Sequence, residues 1–171
     1  MSWADEVVTR IRATDACIVG ISGVDTAGKS TLAADVAARL PGAVLIEGDA
    51  YMPSPEVRHR EPDQALGYYR DGFDYRALFG DILPALRADG RLTIVEGCFL
   101  FAGDNGANFD LRVWIDLPLD RVLERALVRD AAHMGGEDEV CRRYAARYIP
   151  GQRLHLERDD PAAHADLVLR A

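Results

Sequence analysis

A three-layer α/β domain, with a mostly parallel five-stranded sheet and helices on both faces, is the architecture that this 171-residue chain predicts. Short apolar, β-branched runs alternate with stretches of helical periodicity, and such alternation requires crossover connections between parallel strands. A glycine-rich loop joins the first apolar run to the helix behind it. Several runs end on an acidic residue, on the side where a parallel sheet opens its ligand crevice.

The elements follow in order. Ser2 is placed to cap a helix over 4–11, with Asp5 and Glu6 near the positive end of its dipole. Residues 17–21 form an apolar strand, and 30–40 carry apolar side chains at helical spacing until Pro41-Gly42 stops them. A second strand over 43–46 runs into Glu47-Gly48-Asp49. A helix over 75–88 gathers Leu78, Phe79, Ile82 and Leu83 on one face despite Pro84. Strands over 92–95 and 111–115 end at Glu96-Gly97 and Asp116, helices cover 119–132 and 139–148, and 166–169 is a last strand. The stretches 51–74 and 99–110 read as irregular, and long loops in a compact domain are often functional. The length fits one domain over 1–171.

Composition narrows the function. A net charge of −8 excludes a broad nucleic-acid or anionic-membrane surface, which needs a basic face. Any bound anion must be held by a few focused positive groups. Cys17, Cys98 and Cys141 are odd in number and widely spaced, the pattern of buried thiols in a reducing compartment. The opening Met1-Ser2-Trp3-Ala4-Asp5-Glu6 lacks the basic-then-apolar order of a secretory signal, and no apolar run is long enough to span a bilayer. The expectation is a cytoplasmic protein without membrane contact.

Gly23-Val24-Asp25-Thr26-Ala27-Gly28-Lys29-Ser30 matches G-x-x-x-x-G-K-[ST] in full, between a strand and a helix as that pattern requires. Lys29 is the sole lysine among 20 basic residues. A compact ammonium fits against β- and γ-phosphate oxygens where a planar guanidinium is too broad. Successive amides from Gly23 to Ser30, with a helix N-terminus behind them, make an anion cradle for a nucleotide's phosphates. The Ser30 hydroxyl is suited to the oxygen shell of Mg²⁺. Thr31 either reaches the α-phosphate or only continues the helix. These features predict a P-loop NTPase fold that uses ATP and Mg²⁺.

Asp49 follows the second strand and reads as a base or orienter for an attacking hydroxyl, or as a loop-capping aspartate. Glu96, at the end of the third, reads as the holder of a metal-bound water or a substrate hydroxyl, or as a buried, paired carboxylate. Glu47 and Asp116 are weaker candidates. Arg121, Arg125 and Arg129 share a helix face, and Gly135-Gly136 beyond them forms a hinge, so 125–137 is a candidate lid with Arg125 and Arg129 over the transferring phosphoryl group. Arg58, His59 and Arg60 are placed either to bind an anionic acceptor or to lie in a solvated loop. Tyr51, Tyr68 and Tyr69 either wall an acceptor pocket or pack beside it.

Taken together, the chain resembles the uridine kinase and phosphoribulokinase group of P-loop kinases. The resemblance rests on Gly20-Ile21-Ser22-Gly23 running into Gly28-Lys29-Ser30-Thr31, on Gly48-Asp49-Ala50-Tyr51, on Gly72-Phe73-Asp74 and on Val95-Glu96-Gly97. Arg125-Ala126-Leu127-Val128-Arg129-Asp130 and Ala165-Asp166-Leu167-Val168 extend it almost to the end. It implies transfer of the γ-phosphoryl group of ATP to the hydroxyl of a small-molecule acceptor, with Asp49 activating that hydroxyl and Arg125 and Arg129 gripping the ATP phosphates. The chain departs from the group at 67–71, Gly-Tyr-Tyr-Arg-Asp, where uridine kinases usually carry an aspartate and a histidine used on the nucleoside. It departs again after Arg129-Asp130, where Ala131-Ala132-His133-Met134-Gly135 replaces a basic pairing. The alternative is a nucleotide-binding ATPase switch acting on a protein partner. A guanine-specific Asn-Lys-x-Asp signal is absent, because the one lysine is already placed.

Overall fold

The computed structural model describes residues 2–171. Helix α1 (Trp3–Thr14) begins in a capping box, with Asp5 N donating to Ser2 Oγ at 3.2 Å and Ser2 N to Asp5 Oδ2 at 3.1 Å. Strand β1 (Ile18–Gly23) is buried throughout and leads through the glycine loop into α2 (Lys29–Ala38). Strand β2 (Val44–Glu47) passes into a 3₁₀ turn, Gly48–Tyr51. The short α3 (Pro55–Arg58) and then α4 (Gln64–Asp71) occupy the stretch expected to be irregular. A π-helical turn, Leu78–Ile82, opens α5 (Leu83–Ala88), and β3 (Thr93–Gly97) follows. A 3₁₀ segment, Gly103–Asn108, precedes β4 (Leu111–Asp116). The chain then forms α6 (Leu119–Met134), α7 (Glu137–Arg143), a π-helical turn over Tyr144–Tyr148, α8 (Ile149–Asp159), α9 (Pro161–His164) and β5 (Leu167–Arg170).

The strands lie in the order β2-β3-β1-β4-β5 and every pairing is parallel. The expected "mostly parallel" sheet is therefore wholly parallel. Its core joins Ile18, Val19, Ile21, Ile94, Val95, Val113 and Ile115 to Val7, Leu32, Leu78 and Val122 from the helices. β1, at the centre, places Ile21 beside Glu96, and β2 places Glu47 beside Glu96, so the strand ends form one rim.

Two expectations are corrected. The stretch 51–74 holds two helices, and Asp63 caps the second by accepting from the amides of Ala65 and Leu66, each at 3.0 Å. The helix expected over 139–148 divides into α7 and a π turn and then continues as α8. Pro150 sits in the first turn of α8, just after the π turn. A Cβ on Gly151 would lie 2.8 Å from Tyr68 Cδ1 and 3.0 Å from the Ala65 carbonyl oxygen, so the glycine lets α8 close on α4. No helix among the described residues is long and apolar enough to cross a membrane.

Candidate active site

Gly23 ends β1 where a Cβ would meet the Ile115 carbonyl oxygen at 2.8 Å, and the loop turns there. Thr26 (φ 61°) and Gly28 (φ 96°) take left-handed conformations, curling the backbone around the start of α2. Only glycine does so without strain. Val24 and Ala27 are buried and anchor the loop, Ala27 N donating to the Val24 carbonyl at 3.2 Å, whereas Gly28, Ser30 and Thr31 are exposed. The first amides of α2 have no intrahelical acceptor and stand as donors beside these residues.

Lys29 is buried, and its ammonium donates to the Val24 carbonyl at 2.8 Å. Burial alone would lower its pKa, but its acidic neighbours, Asp25 and Glu96 among them, outweigh that and hold it above the ordinary lysine value. The Cys98 thiol is pushed up to about 12, first by burial and further by Asp25, so it stays neutral beside the lysine. Asp25 accepts from Tyr68 Oη at 2.9 Å, Gln152 Nε2 at 3.2 Å and Cys98 Sγ at 3.4 Å. Its carboxylate thereby ties the loop to α4, α8 and the end of β3.

Glu96 is buried at the end of β3. Its carboxyl is raised above the usual range, first by burial, with Asp49 and Glu47 adding, while Lys29 and a hydrogen bond to Ser30 pull the other way. Glu96 lies at the end of β3 beside Ile21 of β1, at the edge of the sheet from which the phosphate loop leaves. Asp49 is exposed in the 3₁₀ turn, whose Gly48 packs so closely that a Cβ there would meet the Glu96 carbonyl oxygen at 2.7 Å. Glu47 is exposed, and Asp116 lies toward the other side of the sheet, in register with Arg170.

The two lid arginines differ. Arg125 Nη1 reaches the Thr26 carbonyl at 3.5 Å, so it stands at the phosphate loop. Arg129 is held by Asp130 (Nε to Oδ1, 2.6 Å) and contacts Tyr144 Oη at 3.1 Å. Asp130 also accepts from Tyr144 Oη at 2.7 Å. Left-handed Gly135 (φ 94°) and Gly136 (φ 105°) separate α6 from α7.

The three tyrosines named for an acceptor pocket differ: Tyr68 is packed inside, whereas Tyr51 and Tyr69 are half-buried and Tyr69 lines a cleft of ≈ 240 Å³ with Phe73, Tyr75 and Phe99. Tyr68 is buried, edge-on to Phe99 at 5.0 Å and to Tyr148 at 4.9 Å. Tyr51 lies against Tyr75 at 5.8 Å. Tyr69 donates to Asp159 at 2.8 Å, and its hydroxyl is pushed up to about 12 by burial and that bond. Arg58 is half-buried, with Nη1 at 3.6 Å from Met52 Sδ. Arg60 lines a cleft of ≈ 500 Å³ with Pro53, Val57, Asp74, Tyr75 and Phe79, on the side of Asp49's turn. Gln152, His155 and Asp159, all on α8, escaped the sequence reading, since nothing in their spacing marks them as polar groups aimed inward.

A wholly parallel sheet with a phosphate loop after its central strand defines the P-loop kinase fold. No protein-family model matches the chain. It is 28% identical to a uridine kinase of Borreliella burgdorferi over 143 aligned positions, covering 69% of each protein. A uridine kinase of Borrelia garinii matches with the same identity and coverage, 28% over 143 positions and 69% of each. Two solved structures share the fold. A possible uridine kinase from Bacillus stearothermophilus superposes with a TM-score of 0.75 at 19% identity, covering 97% of this chain and 96% of that one. A candidate fructose transport system kinase from Silicibacter sp. TM1040 gives 0.76 at 20% identity, covering 98% of both. The chain thus has the P-loop kinase fold and distant homologues among the uridine kinases.

Proposed function

We propose that the chain is an ATP- and Mg²⁺-dependent small-molecule kinase. The observation that carries the reading is the buried Lys29 of the phosphate loop behind central β1, next to β3, whose buried Glu96 lies in register with Ile21. Ser30 and Glu96 supply a hydroxyl and a carboxylate, hard oxygens of the kind Mg²⁺ takes while it keeps several waters. When bound there, Mg²⁺ would neutralise charge on the β- and γ-phosphates.

The chain's own residues have distinct tasks. The amides of Gly23 to Ser30 hold the triphosphate, and Lys29 offsets charge on the transferring group. Asp49 orients the acceptor hydroxyl and takes its proton. The acceptor oxygen bonds to Pγ as the bond from Pγ to the bridging oxygen breaks, and ADP leaves with that electron pair. Arg125 stands at the loop ready to meet the γ-phosphoryl oxygens, and the segment 125–137 closes over them by turning at Gly135-Gly136. Arg129 reaches them only if it leaves Asp130.

ADP release with Mg²⁺ and ATP, scanned over nucleosides, sugars, vitamins and small hydroxy acids, tests the proposal. At least one acceptor should raise turnover far above that of Lys29→Ala. A panel in which none does overturns it.

A further inference from the structure

Another cleft, of ≈ 610 Å³, opens between the segment that follows Asp49 and the end of α7 with the π turn after it, beyond the lid. Arg58 and His59 line one wall, Arg142, Arg143, Arg147 and Tyr148 the other. The concentration of guanidinium groups is unexpected in a chain of net charge −8. Of the carboxylates, Glu61 lines the cleft but reaches toward Arg70 at 3.7 Å, and Glu139 pairs with Arg142 and Arg143 at 2.7 and 2.6 Å.

Arg147 makes the cleft a built site rather than a charged surface. It is 6% exposed, and none of the ion pairs among the described residues includes it. Its hydrogen bond is to the Arg58 carbonyl at 3.1 Å, and its guanidinium lies 5.3 Å from the centre of the Tyr68 ring. Buried charges are ordinarily paired, because an unpaired one loses its hydration without recompense. Arg58 Nε is likewise buried without a hydrogen-bond partner. The positive field is felt locally: the His59 pKa is lowered, by burial first and then by Arg147, Arg58 and Arg143. An oxyanion in the cleft would satisfy both arginines with charge-assisted hydrogen bonds.

The cleft also has a fixed relation to the site of transfer. Tyr68 carries Arg147 on its ring, Tyr148 on its edge and the phosphate-loop residue Asp25 on its hydroxyl. Met52, which touches Arg58 Nη1, donates its amide to the Asp49 carbonyl at 3.3 Å. A molecule anchored among the arginines is therefore one aromatic ring from the phosphate loop and one short turn from Asp49. We infer that this cleft is the subsite for an anionic group, a phosphate ester or a carboxylate, that the acceptor carries away from the hydroxyl to be phosphorylated. The inference rests on the kinase reading for the ligand's identity as an acceptor, but the anion site itself does not.

Titration calorimetry of the full chain saturated with Mg²⁺ and ADP, using inorganic phosphate in one arm and acetate in the other, separates the two. Phosphate, acetate or both should bind with the loop already filled, and the stronger of the two names the group. Arg143→Gln, at a side chain 44% exposed, and Arg58→Gln should each weaken that binding about tenfold. Binding that vanishes once ADP fills the loop, or that neither substitution alters, overturns the inference. ADP-release assays with ribose, ribose 5-phosphate and gluconate then bring in the acceptor. Turnover confined to the anionic compounds supports the subsite, and equal turnover of ribose and ribose 5-phosphate overturns it. Anion binding with no turnover of any acceptor leaves the subsite standing and sinks the kinase reading.

Discussion

Asp25 illustrates how a residue inside a general motif takes on a particular duty. The pattern G-x-x-x-x-G-K-[ST] leaves its position free, and here the carboxylate collects donors from Tyr68, Gln152 and Cys98. Tyr68→Phe keeps the ring packing and removes one donor from a partly buried carboxylate. It should destabilise the protein by about 1–3 kcal/mol in urea unfolding, and an unchanged midpoint would show that the bond carries no weight. Asp49→Asn should lower acceptor-dependent turnover by about 10²–10⁴ while nucleotide affinity by calorimetry is retained. A loss of nucleotide affinity instead would make Asp49 part of the metal shell. Gly48 is tested through space: a methyl there meets backbone and the Tyr75 hydroxyl below 3.0 Å. Gly48→Ala should therefore cost about 1–3 kcal/mol and depress turnover as well, since it displaces the turn that presents Asp49.

At the scale of elements, α8 is the part that sequence reasoning missed, and it braces the site. Asp159 accepts from Tyr69 at 2.8 Å, from the Gly103 amide at 2.9 Å and shares a 2.6 Å contact with His155 Nδ1, linking α8 to α4 and to the loop after β3. Asp159→Ala strands all three at once. A loss of about 3–5 kcal/mol is expected, together with faster hydrogen exchange at Gly103, and exchange left unchanged would refute the brace. The strands were legible as short apolar runs, β1 being buried at every position, and α1, α2 and α6 because each buries one face at helical spacing, as Val122 and Ala126 do in α6. The phosphate loop was legible because its chemistry is local in sequence. The short α3 and α4 were not, since Pro53, Pro55 and Pro62 and the many charged side chains resemble a loop. Nor were the partners of Asp25 or the arginine cleft, which depend on residues far apart in the chain meeting across a fold.

The molecule as a whole carries an acid-sensitive set of groups. His155 is fully buried and its pKa is lowered from 6.5, chiefly by burial, with Asp159 opposing. The carboxyls of Asp110, Asp130, Asp159 and Asp166 are all lowered from 3.8 by arginine, histidine, tyrosine or backbone donors, in most cases against burial. A group whose pKa is lower in the folded state binds fewer protons there than in the unfolded chain. Stability therefore rises with pH through its titration and is lost as pH falls. Glu96 runs the other way, because its pKa is raised from 4.5. One raised carboxyl is outweighed by four lowered ones. Two stages follow: a gradual decline in the urea midpoint as pH drops below 6.5, set by His155, and a steeper one around and below 3.8, set by the aspartates. His155→Gln should flatten the first stage, leave the second in place and lower stability at neutral pH through the lost contact with Asp159. Midpoints measured from pH 8 to pH 3 in both proteins decide the matter. A wild-type midpoint that stays level from pH 7 to pH 5 would mean that Asp159 fully offsets the burial of His155, and one that rises as pH falls would reverse the sign assigned to the first stage.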